Sequence, residues 1–404
     1  MSERLYYTDA YTTEFEAHIT AMTTVNGRPA IVLDQSYFYP TSGGQSYDTG
    51  TVGGKTVIDV MVGEQGQVFH ILADALPEAM IGEKVQGKLD WSRRYDHMQQ
   101  HAGQHLLSQL FFQHYHFETV AVHFGDTEST LDLETPEITP TQIEEVEAHA
   151  MELVYHALPI KAYFVSQTEL STIPLRRPPK VSGTVRIVEI DGFDYSACGG
   201  THCRTTAEIG PIKVTKAERR RGQVRITFVC GNRAWLDYQC KHQLLTSAAN
   251  LFSNEMTQVP VLIERNLGQL KELARQMETL QTELVAIEAA QLLTTATPMS
   301  GYQVVQRTFA DKEVNTVKRL ANQLQQQPGV LCLFSIVQAE KVTVLFARAA
   351  DVNLHVGNLL RDGLRAIGGK GGGKEDFAQG GGITLQQSEE MMTMTTTWLA
   401  ATKC

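Results

Sequence analysis

The stretch WSRRYDHMQQHAGQHLLSQLFFQHY, residues 91–115, is the most informative part of the sequence, and the other segments are interpreted in relation to it. Its apolar side chains recur at helical spacing without an intervening proline, which predicts an amphipathic helix. These side chains are Leu106, Leu107, Leu110 and Phe111. His101 and His105 are four residues apart and therefore share one face of that helix. Both imidazoles can reach one metal ion at about 2.0–2.1 Å, so the stretch predicts half of a metal site.

A second pair of potential ligands lies in YSACGGTHCRTT, residues 195–206. Cys198 and His202 are separated by a segment with Gly199 and Gly200, which allow a tight turn and the left-handed backbone that other residues avoid. Such a turn can direct a thiolate and an imidazole toward one point. Three histidines and one cysteine favour zinc, because these ligands are borderline soft and no redox chemistry is required.

Spacing alone leaves alternatives to this ligand set. Either pair taken singly is a common chance occurrence, and the prediction depends on their joint presence. His97 continues the series of His101 and His105, so any two adjacent histidines of the three would serve. The zinc-protease motif HExxH is excluded, because Ala102 stands where the general-base glutamate is required.

Composition bounds the class of protein. A length of 404 residues predicts roughly two to three domains. The apolar share of 42% and the charged share of 20% are ordinary for a soluble protein, and the first residues contain no apolar run typical of a signal peptide. Six scattered cysteines suit a reducing compartment, so we expect a cytoplasmic protein without a membrane partner. The net charge of -10 argues against a protein that coats nucleic acid nonspecifically.

Patterns along the chain predict a multidomain α+β protein in four segments. Residues 1–90 alternate short strand patterns with glycine-rich turns, which is typical of a β-barrel-like module. Residues 91–231 carry both ligand pairs and mix helix with strand, as expected of an α+β zinc-binding domain. Residues 232–296 are helical, and residues 297–404 alternate strand and helix in the order of an α/β domain.

The helical segment, interrupted near Pro260, carries an apolar seam at alternating steps of three and four residues, the pattern of a coiled coil. The seam comprises Leu270, Leu273, Met277, Leu280, Leu284 and Ile287. It is three heptads long at most. Packing against the preceding helix as a hairpin and formation of a homodimer are both consistent with it.

Two basic stretches are candidates for contacts with RNA phosphates. The first sets six cations against Glu218: Lys213, Lys216, Arg219, Arg220, Arg221 and Arg225. A solvated turn is the alternative. The second, GGKGGGKEDFAQGGG at 368–382, offers Lys370 and Lys374 among glycine amides suited to an anion, with a flexible linker as the alternative. It is not a P-loop, because Glu375 replaces the Ser or Thr that holds magnesium.

Five blocks, in chain order, resemble the signature blocks of the editing half of alanyl-tRNA synthetase. They are FYPTSGGQSYDTG (38–50), QQHAGQHLLS (99–108), ETVAVHFGDTESTLDL (118–133), CGGTH (198–202) and GGKGGGKEDFAQGGG (368–382). The chain is most similar to the free-standing long form, the AlaX alanyl-tRNA editing proteins, in which an editing domain is joined to a C-terminal domain of the DHHA1 type. The resemblance covers essentially the whole chain. The sequence contains no class II synthetase catalytic motif, so amino-acid activation is not implied.

The resemblance implies a zinc-dependent hydrolase that removes serine, or alternatively glycine, from mischarged tRNA(Ala). In place of the His97 alternative, the implied zinc ligands are His101, His105, Cys198 and His202. Gln45 corresponds to a residue that lines the substrate pocket of the family. Thr41 corresponds to the position whose hydroxyl senses the serine side chain. Ala102 departs from the family, which often has Thr or Ser there.

Four protein ligands describe a closed site, whereas a hydrolytic zinc ion keeps one position open for water. Either one ligand yields to water, whose pKa the ion lowers toward about 7, or the ion only positions the end of the tRNA. We favour positioning, because an aminoacyl ester is already reactive. Gln45, Asp194 or a substrate hydroxyl would then orient the water, and a plain turn role is the alternative for Asp194. His123 either lines the pocket or is an ordinary strand residue.

Two other functions stay open. A zinc-stabilised tRNA-binding module without turnover would also account for a complete ligand set. Editing of Ser-tRNA(Thr), as in threonyl-tRNA synthetase, also uses an HxxxH block. We disfavour it because the C-terminal glycine block belongs to the alanine system.

Overall fold

The structure is a computed structural model that describes residues 2–178, 183–339 and 341–401. The chain divides into two compact units, Met1–Met256 and Thr257–Cys404. Both units combine helices with strands, which confirms the prediction of a multidomain protein of mixed α and β structure. Within the described ranges, none of the helices combines the length and apolar character that a membrane span requires.

The first part of the chain is built from short strands. They are β1 (Glu3–Arg4), β2 (Glu14–Val25), β3 (Arg28–Leu33), β4 (Gln35–Ser36), β5 (Gly50–Val52), β6 (Lys55–Val62), β7 (Val68–Leu72) and β8 (Lys84–Leu89). Six of them close into a ring in the order β2, β3, β7, β6, β5 and β8, and β1 pairs in parallel with β4. Along β2 the side chains alternate between solvent and interior, with Phe15, Ala17 and Ile19 buried.

Helix α1 (Trp91–Tyr115) follows the last strand of the ring and confirms the predicted helix. Its predicted amphipathic character is wrong, because every residue from 97 to 108 is buried. Polar side chains on the second buried face make internal hydrogen bonds instead of facing water. Gln100, for example, donates to the carbonyl of Cys230 and accepts from its amide, both at 2.9 Å. The helix is therefore a central element of the first unit.

The remaining elements of the first unit are β9 (Thr119–Phe124), β10 (Ser129–Leu133), α2 (Pro140–His156), β11 (Ile160–Val165), α3 (Gln167–Leu170), β12 (Val185–Ile190), β13 (Asp194–Ala197), β14 (Ile212–Arg220), β15 (Gln223–Cys230) and α4 (Asn232–Leu251). The strands among them form two antiparallel sheets, β14-β15-β10-β9 and β11-β12-β13.

Gly103 allows α1 to pack closely against β15, since a Cβ at this position would lie 2.2 Å from Cys230 Sγ.

A buried ion pair joins the loop before β5 to α1. Arg94 and Asp48 are both fully buried, and Arg94 Nε lies 3.1 Å from each carboxylate oxygen. Arg94 Nη1 also donates to the carbonyl of Ala10 at 2.8 Å, and Asp48 accepts from the amide of Tyr39 at 2.6 Å. Both charged groups thus also make hydrogen bonds to the backbone. Such bonds are needed to offset the cost of removing an ion pair from water.

The second unit comprises α5 (Val259–Thr294), β16 (Thr297–Met299), β17 (Tyr302–Ala310), α6 (Val314–Leu324), β18 (Val330–Gln338), β19 (Lys341–Arg348), α7 (Val356–Ala366), β20 (Lys370–Gly373), β21 (Phe377–Ile383) and α8 (Leu385–Ala401). Its sheet has the order β16-β17-β18-β19-β21-β20. Strands β17 and β18 are parallel and joined through α6. One face of the sheet packs on α6 and the end of α5, and the other packs on α7 and α8.

The glycine-rich run is a β-hairpin, so its interpretation as a flexible linker is wrong. Strands β20 and β21 pair antiparallel, with Gly371 opposite Gly380. A Cβ on Gly371 would lie 2.5 Å from Leu364 Cδ1 of α7 and 2.6 Å from Gly380 Cα. Glycine is required because the helix and the paired strand approach so closely.

The predicted heptad seam lies on one continuous helix, α5, which begins at Val259 beside the predicted break. Its apolar side chains are each more than half exposed: Leu270, Leu273, Met277, Leu280, Leu284 and Ile287. Pairing of this seam with another helix or with a second copy of the chain stays a prediction.

We expect Asp48→Ala to destabilise the first unit by about 3–5 kcal/mol, because it leaves the buried guanidinium of Arg94 without a counter-ion. The measurement is the free energy of unfolding in urea, followed by tryptophan fluorescence. The control is Glu14→Ala, which removes the partner of Lys88 from an exposed pair in the same ring of strands, 2.7 Å apart. That change should leave the free energy of unfolding nearly unchanged. Equal effects of the two substitutions would contradict the role of the buried pair.

Candidate metal centre

Four side chains from two distant segments converge on one point. Each of them offers one donor atom, and these atoms all lie within 4.8 Å of one another: His101, His105, Cys198 and His202. Cys198 Sγ is 3.4 Å from His101 Nε2 and 3.3 Å from His202 Nε2. Donors bound to one tetrahedral ion at about 2.0–2.3 Å are themselves a little over 3 Å apart, so the cluster fits a metal ion. His97 is not part of it.

Hydrogen bonds behind two of the histidines determine which ring nitrogen faces the cluster. His101 Nδ1 donates to Gln45 Oε1 at 2.9 Å, and His105 Nδ1 donates to Asp194 Oδ2 at 3.0 Å. Histidines that bind metals characteristically donate their second N–H to a carboxylate or carbonyl, which orients the ring and raises its basicity. In both residues Nε2 is therefore the nitrogen available to an ion.

Asp194, at the start of β13, is fully buried and lies behind His105. Burial alone would raise the pKa of its carboxyl, but the hydrogen bond from His105 and the charge of Arg176 lower that pKa below its ordinary value. Arg176 Nε lies 3.5 Å from Asp194 Oδ1. Burial also opposes the charge on His105, yet the hydrogen bond from its ring to Asp194 raises the pKa of His105 to about 9. These contacts place Asp194 where it can orient His105. A role in a turn alone would not account for them.

The thiol of Cys198 is held in the form that binds metals. Burial alone would raise its pKa, but the neighbouring His101 and His202 lower that pKa well below the ordinary value. The amide of Gly200 also donates to Sγ at 3.3 Å. A thiolate is the form of cysteine that coordinates metal ions, so the electrostatics of the cluster agree with its geometry.

Gln45 connects the loop before β5 to the turn that carries Cys198. Its Nε2 donates to Thr201 Oγ1 at 2.8 Å, and its Oε1 accepts from the amide of Thr201 at 3.2 Å. The side chain is fully buried and does not line the neighbouring cavity. The structure therefore places Gln45 behind His101, where it orients a ligand, rather than on the surface of a substrate pocket.

The glycines of the CGGTH turn serve close packing. A Cβ on Gly200 would lie 2.2 Å from His101 Cε1, whereas the nearest atom to one on Gly199 is Tyr7 Cε1 at 3.8 Å. Neither glycine has a positive φ, so the predicted left-handed turn is wrong. What the turn requires at position 200 is the absence of a side chain.

Sequence reasoning missed two arginines that support the centre. Arg186 on β12 donates from Nη1 to the carbonyls of Cys198 at 2.9 Å and Gly200 at 2.8 Å. Arg176 donates to Ser196 Oγ at 3.1 Å and flanks Asp194. The one available signal was the charged side chain of Arg186 in the otherwise apolar start of β12, VRIVEI, where it is buried.

A cavity of about 580 Å³ opens beside the cluster. Three of the ligands, His101, His105 and Cys198, form part of its wall. Aromatic and cationic side chains form much of the rest: Tyr7, Tyr39, Phe164, Arg176, Arg177 and Arg186. The cluster is therefore buried by the protein on one side and reachable by a ligand on the other.

Thr41 does not line this cavity. It is exposed, and its amide donates to the carbonyl of Val60 at 3.3 Å, while the next two residues, Ser42 and Gly43, line the wall. His123 is exposed on β9 and is likewise absent from the lining, as an ordinary strand residue would be. Selectivity through Thr41 stays a prediction, and Ser42 contributes a hydroxyl to the cavity wall.

The basic stretch along β14 and β15 is partly neutralised by acidic neighbours. Four of its cations form ion pairs at 2.6–2.9 Å: Lys213–Glu147, Lys216–Glu218, Arg219–Glu137 and Arg225–Asp132. Arg220 and Arg221 are exposed at the turn of the hairpin. RNA binding by this stretch stays a prediction.

The two lysines of the glycine-rich run are exposed on the β20–β21 hairpin. Lys370 lines a groove of about 660 Å³ together with Lys341 and several glycines, whereas Lys374 lies outside that lining. Phosphate binding by Lys370 and Lys374 stays a prediction.

Three parts of the chain match known protein families. Family profiles match residues 4–93 (tRNA synthetases class II (A)), 185–227 (Threonyl and Alanyl tRNA synthetase second additional domain) and 301–401 (DHHA1 domain). The alanyl-tRNA editing protein AlaX-L of Pyrococcus horikoshii is 30% identical to this chain over 94% of each protein. The chain belongs to the AlaX-L family of alanyl-tRNA editing proteins. The resemblance seen in the sequence is thereby confirmed.

Alanine–tRNA ligases are similar to the chain over part of their length. That of Methanobrevibacter smithii is 27% identical over 97% of this chain and 45% of the ligase. That of Archaeoglobus fulgidus is 31% identical over 97% of this chain and 43% of the ligase. The chain therefore spans less than half of these ligases and nearly the whole of AlaX-L.

We expect Gly200→Ala to abolish metal binding, because its new methyl group would occupy the space of the His101 ring. The matched control is Gly199→Ala, whose methyl group meets nothing closer than 3.8 Å. Metal analysis of both purified variants measures the effect. Full occupancy in Gly200→Ala would show that the ring can move without losing the ion.

Removing the hydrogen bonds behind the histidines should weaken the site without removing a ligand. We expect Gln45→Ala and Asp194→Ala each to lower zinc affinity by about 10–100-fold, as measured by competition with a chelator. His123→Ala is the control and should leave the affinity unchanged, because His123 is exposed and outside the cluster. Wild-type affinity in both variants would argue that the rings need no such support.

Proposed function

We propose that this chain hydrolyses the aminoacyl ester of mischarged tRNA(Ala), with Ser-tRNA(Ala) as the main substrate and Gly-tRNA(Ala) as an alternative, and that its metal is zinc. The observation that carries the proposal is the three-histidine, one-cysteine cluster at the wall of a 580 Å³ cavity. Membership of the AlaX-L family supports tRNA editing as the general activity.

The donor set supports zinc. Three imidazoles and one thiolate are ligands that zinc prefers, and the hydrogen bonds at Nδ1 of His101 and His105 leave both Nε2 atoms for an ion. A bound ion would supply a positive charge at the cavity wall that attracts oxygens of the aminoacyl ester. Because the protein fills all four positions of a tetrahedral site, the donor set favours positioning of the substrate over formation of a metal hydroxide.

Side chains with hydroxyl groups contribute to the cavity wall, among them Ser42, Thr119, Thr184 and Ser196. Ser196 Oγ donates to Asp194 Oδ2 at 2.9 Å, so it links the buried carboxylate to the wall. We infer that orientation of the attacking water falls to these hydroxyls and to those of the substrate, while Asp194 and Gln45 hold the ligands.

Discrimination by such a site has a clear physical basis. A pocket that binds alanine rejects an added hydroxyl only by about a hundredfold. A second site that hydrogen-bonds the hydroxyl of serine can reject alanine by about ten-thousandfold, because alanine leaves its polar groups unpaired. We propose Ser42, which lines the cavity, for this contact, and Thr41, which precedes it and lies outside that lining, as the alternative.

The test is to charge tRNA(Ala) with serine, glycine or alanine, to charge tRNA(Thr) with serine, and to follow release of each amino acid. We expect serine to leave tRNA(Ala) at least about a hundredfold faster than alanine does. Cys198→Ala should lose both zinc and activity, whereas His123→Ala should keep both. Equal release of serine and alanine would contradict the proposal.

A binding module without turnover is the second candidate, favoured by the complete set of four protein ligands. It predicts that the wild-type protein binds tRNA(Ala) and releases no amino acid in the same assay. Faster release of serine from tRNA(Thr) than from tRNA(Ala) would instead assign the chain to threonine editing.

A further inference from the structure

The cavity beside the ligand cluster is lined by cations although the chain as a whole is acidic. The net charge is -10, yet the described lining residues include Arg176, Arg177 and Arg186 and no Asp or Glu. Arg186 holds the CGGTH turn and Arg176 flanks Asp194, whereas the side chain of Arg177 is 50% exposed. Arg177 Nη2 forms an ion pair with Glu118 Oε2 at 3.5 Å, and its Nη1 donates a hydrogen bond to the carbonyl of Thr119. Such a wall attracts an anionic ligand, and Arg177 is the most exposed of the three arginines.

An open aromatic face adjoins this cationic wall. Phe164 on β11 is 50% exposed, and its ring meets the ring of Tyr7 edge to face at 5.9 Å and 85°. Arg186 Cζ lies 5.5 Å from the centre of the Tyr7 ring and supports it from behind. Tyr7 Cε1 is 3.8 Å from the position of a Cβ on Gly199. The aromatic pair therefore adjoins the residue that follows the metal ligand Cys198.

Exposure alone would not single out Phe164, because isolated apolar side chains are common on protein surfaces. Tyr155 on α2 is more exposed, at 78%, and lies outside the cavity. Phe164 differs in that a half-exposed ring, a half-exposed arginine and the ligand cluster border one cavity of about 580 Å³. That volume suits a small-molecule ligand of nucleotide size.

We propose that Phe164, with Tyr7 behind it, stacks on the base of the 3′-terminal nucleotide of single-stranded RNA, and that Arg177 binds a phosphate of the same strand. An aromatic ring beside a cation is the usual means of holding an unpaired base and its backbone. The inference rests on the proposed function and deepens it: it assigns the residues that hold the end of the tRNA while the ester on its last ribose faces the ligand cluster.

Steady-state deacylation of Ser-tRNA(Ala) separates binding from chemistry. We expect Phe164→Ala to raise KM about tenfold and to leave kcat within about twofold, because stacking on one base is lost while the ligand cluster is untouched. Phe164→Tyr should restore KM. Tyr155→Ala, which removes an exposed ring outside the cavity, should change neither constant. A loss in kcat with an unchanged KM would overturn the inference.

Salt dependence tests the arginine. We expect Arg177→Ala to lower the slope of log KM against log salt concentration by about 0.7, the value for one phosphate contact to a single strand. Arg177→Lys should retain the wild-type slope, because it keeps the charge. The control is Lys161→Ala, since Lys161 is an exposed lysine paired with Asp191 and outside the cavity. An unchanged slope in Arg177→Ala would overturn the phosphate contact.

A binding cycle tests the inference independently of catalysis. The probes are the RNA trinucleotide CCA and the same strand with an abasic 3′ end, titrated into the wild type and Phe164→Ala. We expect removal of the base to weaken binding to the wild type about tenfold and to change binding to Phe164→Ala by less than about twofold. Additive losses, or no binding of CCA by the wild type, would overturn the inference. The proposed function is tested separately, by serine release from the wild type. The binding measurements therefore test the inference even if the wild type releases no serine.

Discussion

The buried ion pair between Arg94 and Asp48 is the interaction on which the first unit depends. Neither side chain reaches water, so separating them would leave a charge in the protein interior without compensation. The loop that carries Asp48 is therefore held against α1. Gln45 belongs to the same loop, three residues before Asp48, and it accepts the hydrogen bond from His101. The same loop therefore contacts the helix through Asp48 and orients the candidate ligand His101 through Gln45.

The ligand cluster is supported from several elements at once. The loop before β5 orients His101 through Gln45, β13 orients His105 through Asp194, and β12 holds the CGGTH turn through Arg186. Each support is a hydrogen bond to an atom that does not face the cluster. The donor atoms are consequently directed toward one point by the fold itself, and the cavity side stays free for a substrate.

The sequence indicated the four candidate ligands but not the residues that support them. Two short spacings suggested the two ligand pairs with His97 as an alternative, and the resemblance to alanyl-tRNA editing proteins selected His101 and His105 and pointed to Gln45. The placement of Gln45 could not be predicted, because it depends on a contact with Thr201, 156 residues away. The helix over 91–115 was predictable from its periodicity. The burial of residues 97–108 on all sides was not, since partners such as the backbone of Cys230 satisfy their polar side chains. Likewise, glycine content left a flexible linker open as an alternative at 368–382, whereas the close approach of α7 explains the glycines of a hairpin.

The distances along the chain within this centre have a consequence for assembly. His101 and Cys198, one from each ligand pair, are 97 residues apart, whereas the two ligand pairs of a classical zinc finger are separated by only about 12–15 residues. Closing so long a segment costs conformational entropy before any contact forms. The complete donor set therefore exists only after the strand ring, α1 and the β11–β13 sheet have come together. In a zinc finger, folding is coupled to binding of the ion, whereas here the four candidate donors are brought together by elements that have hydrophobic cores of their own.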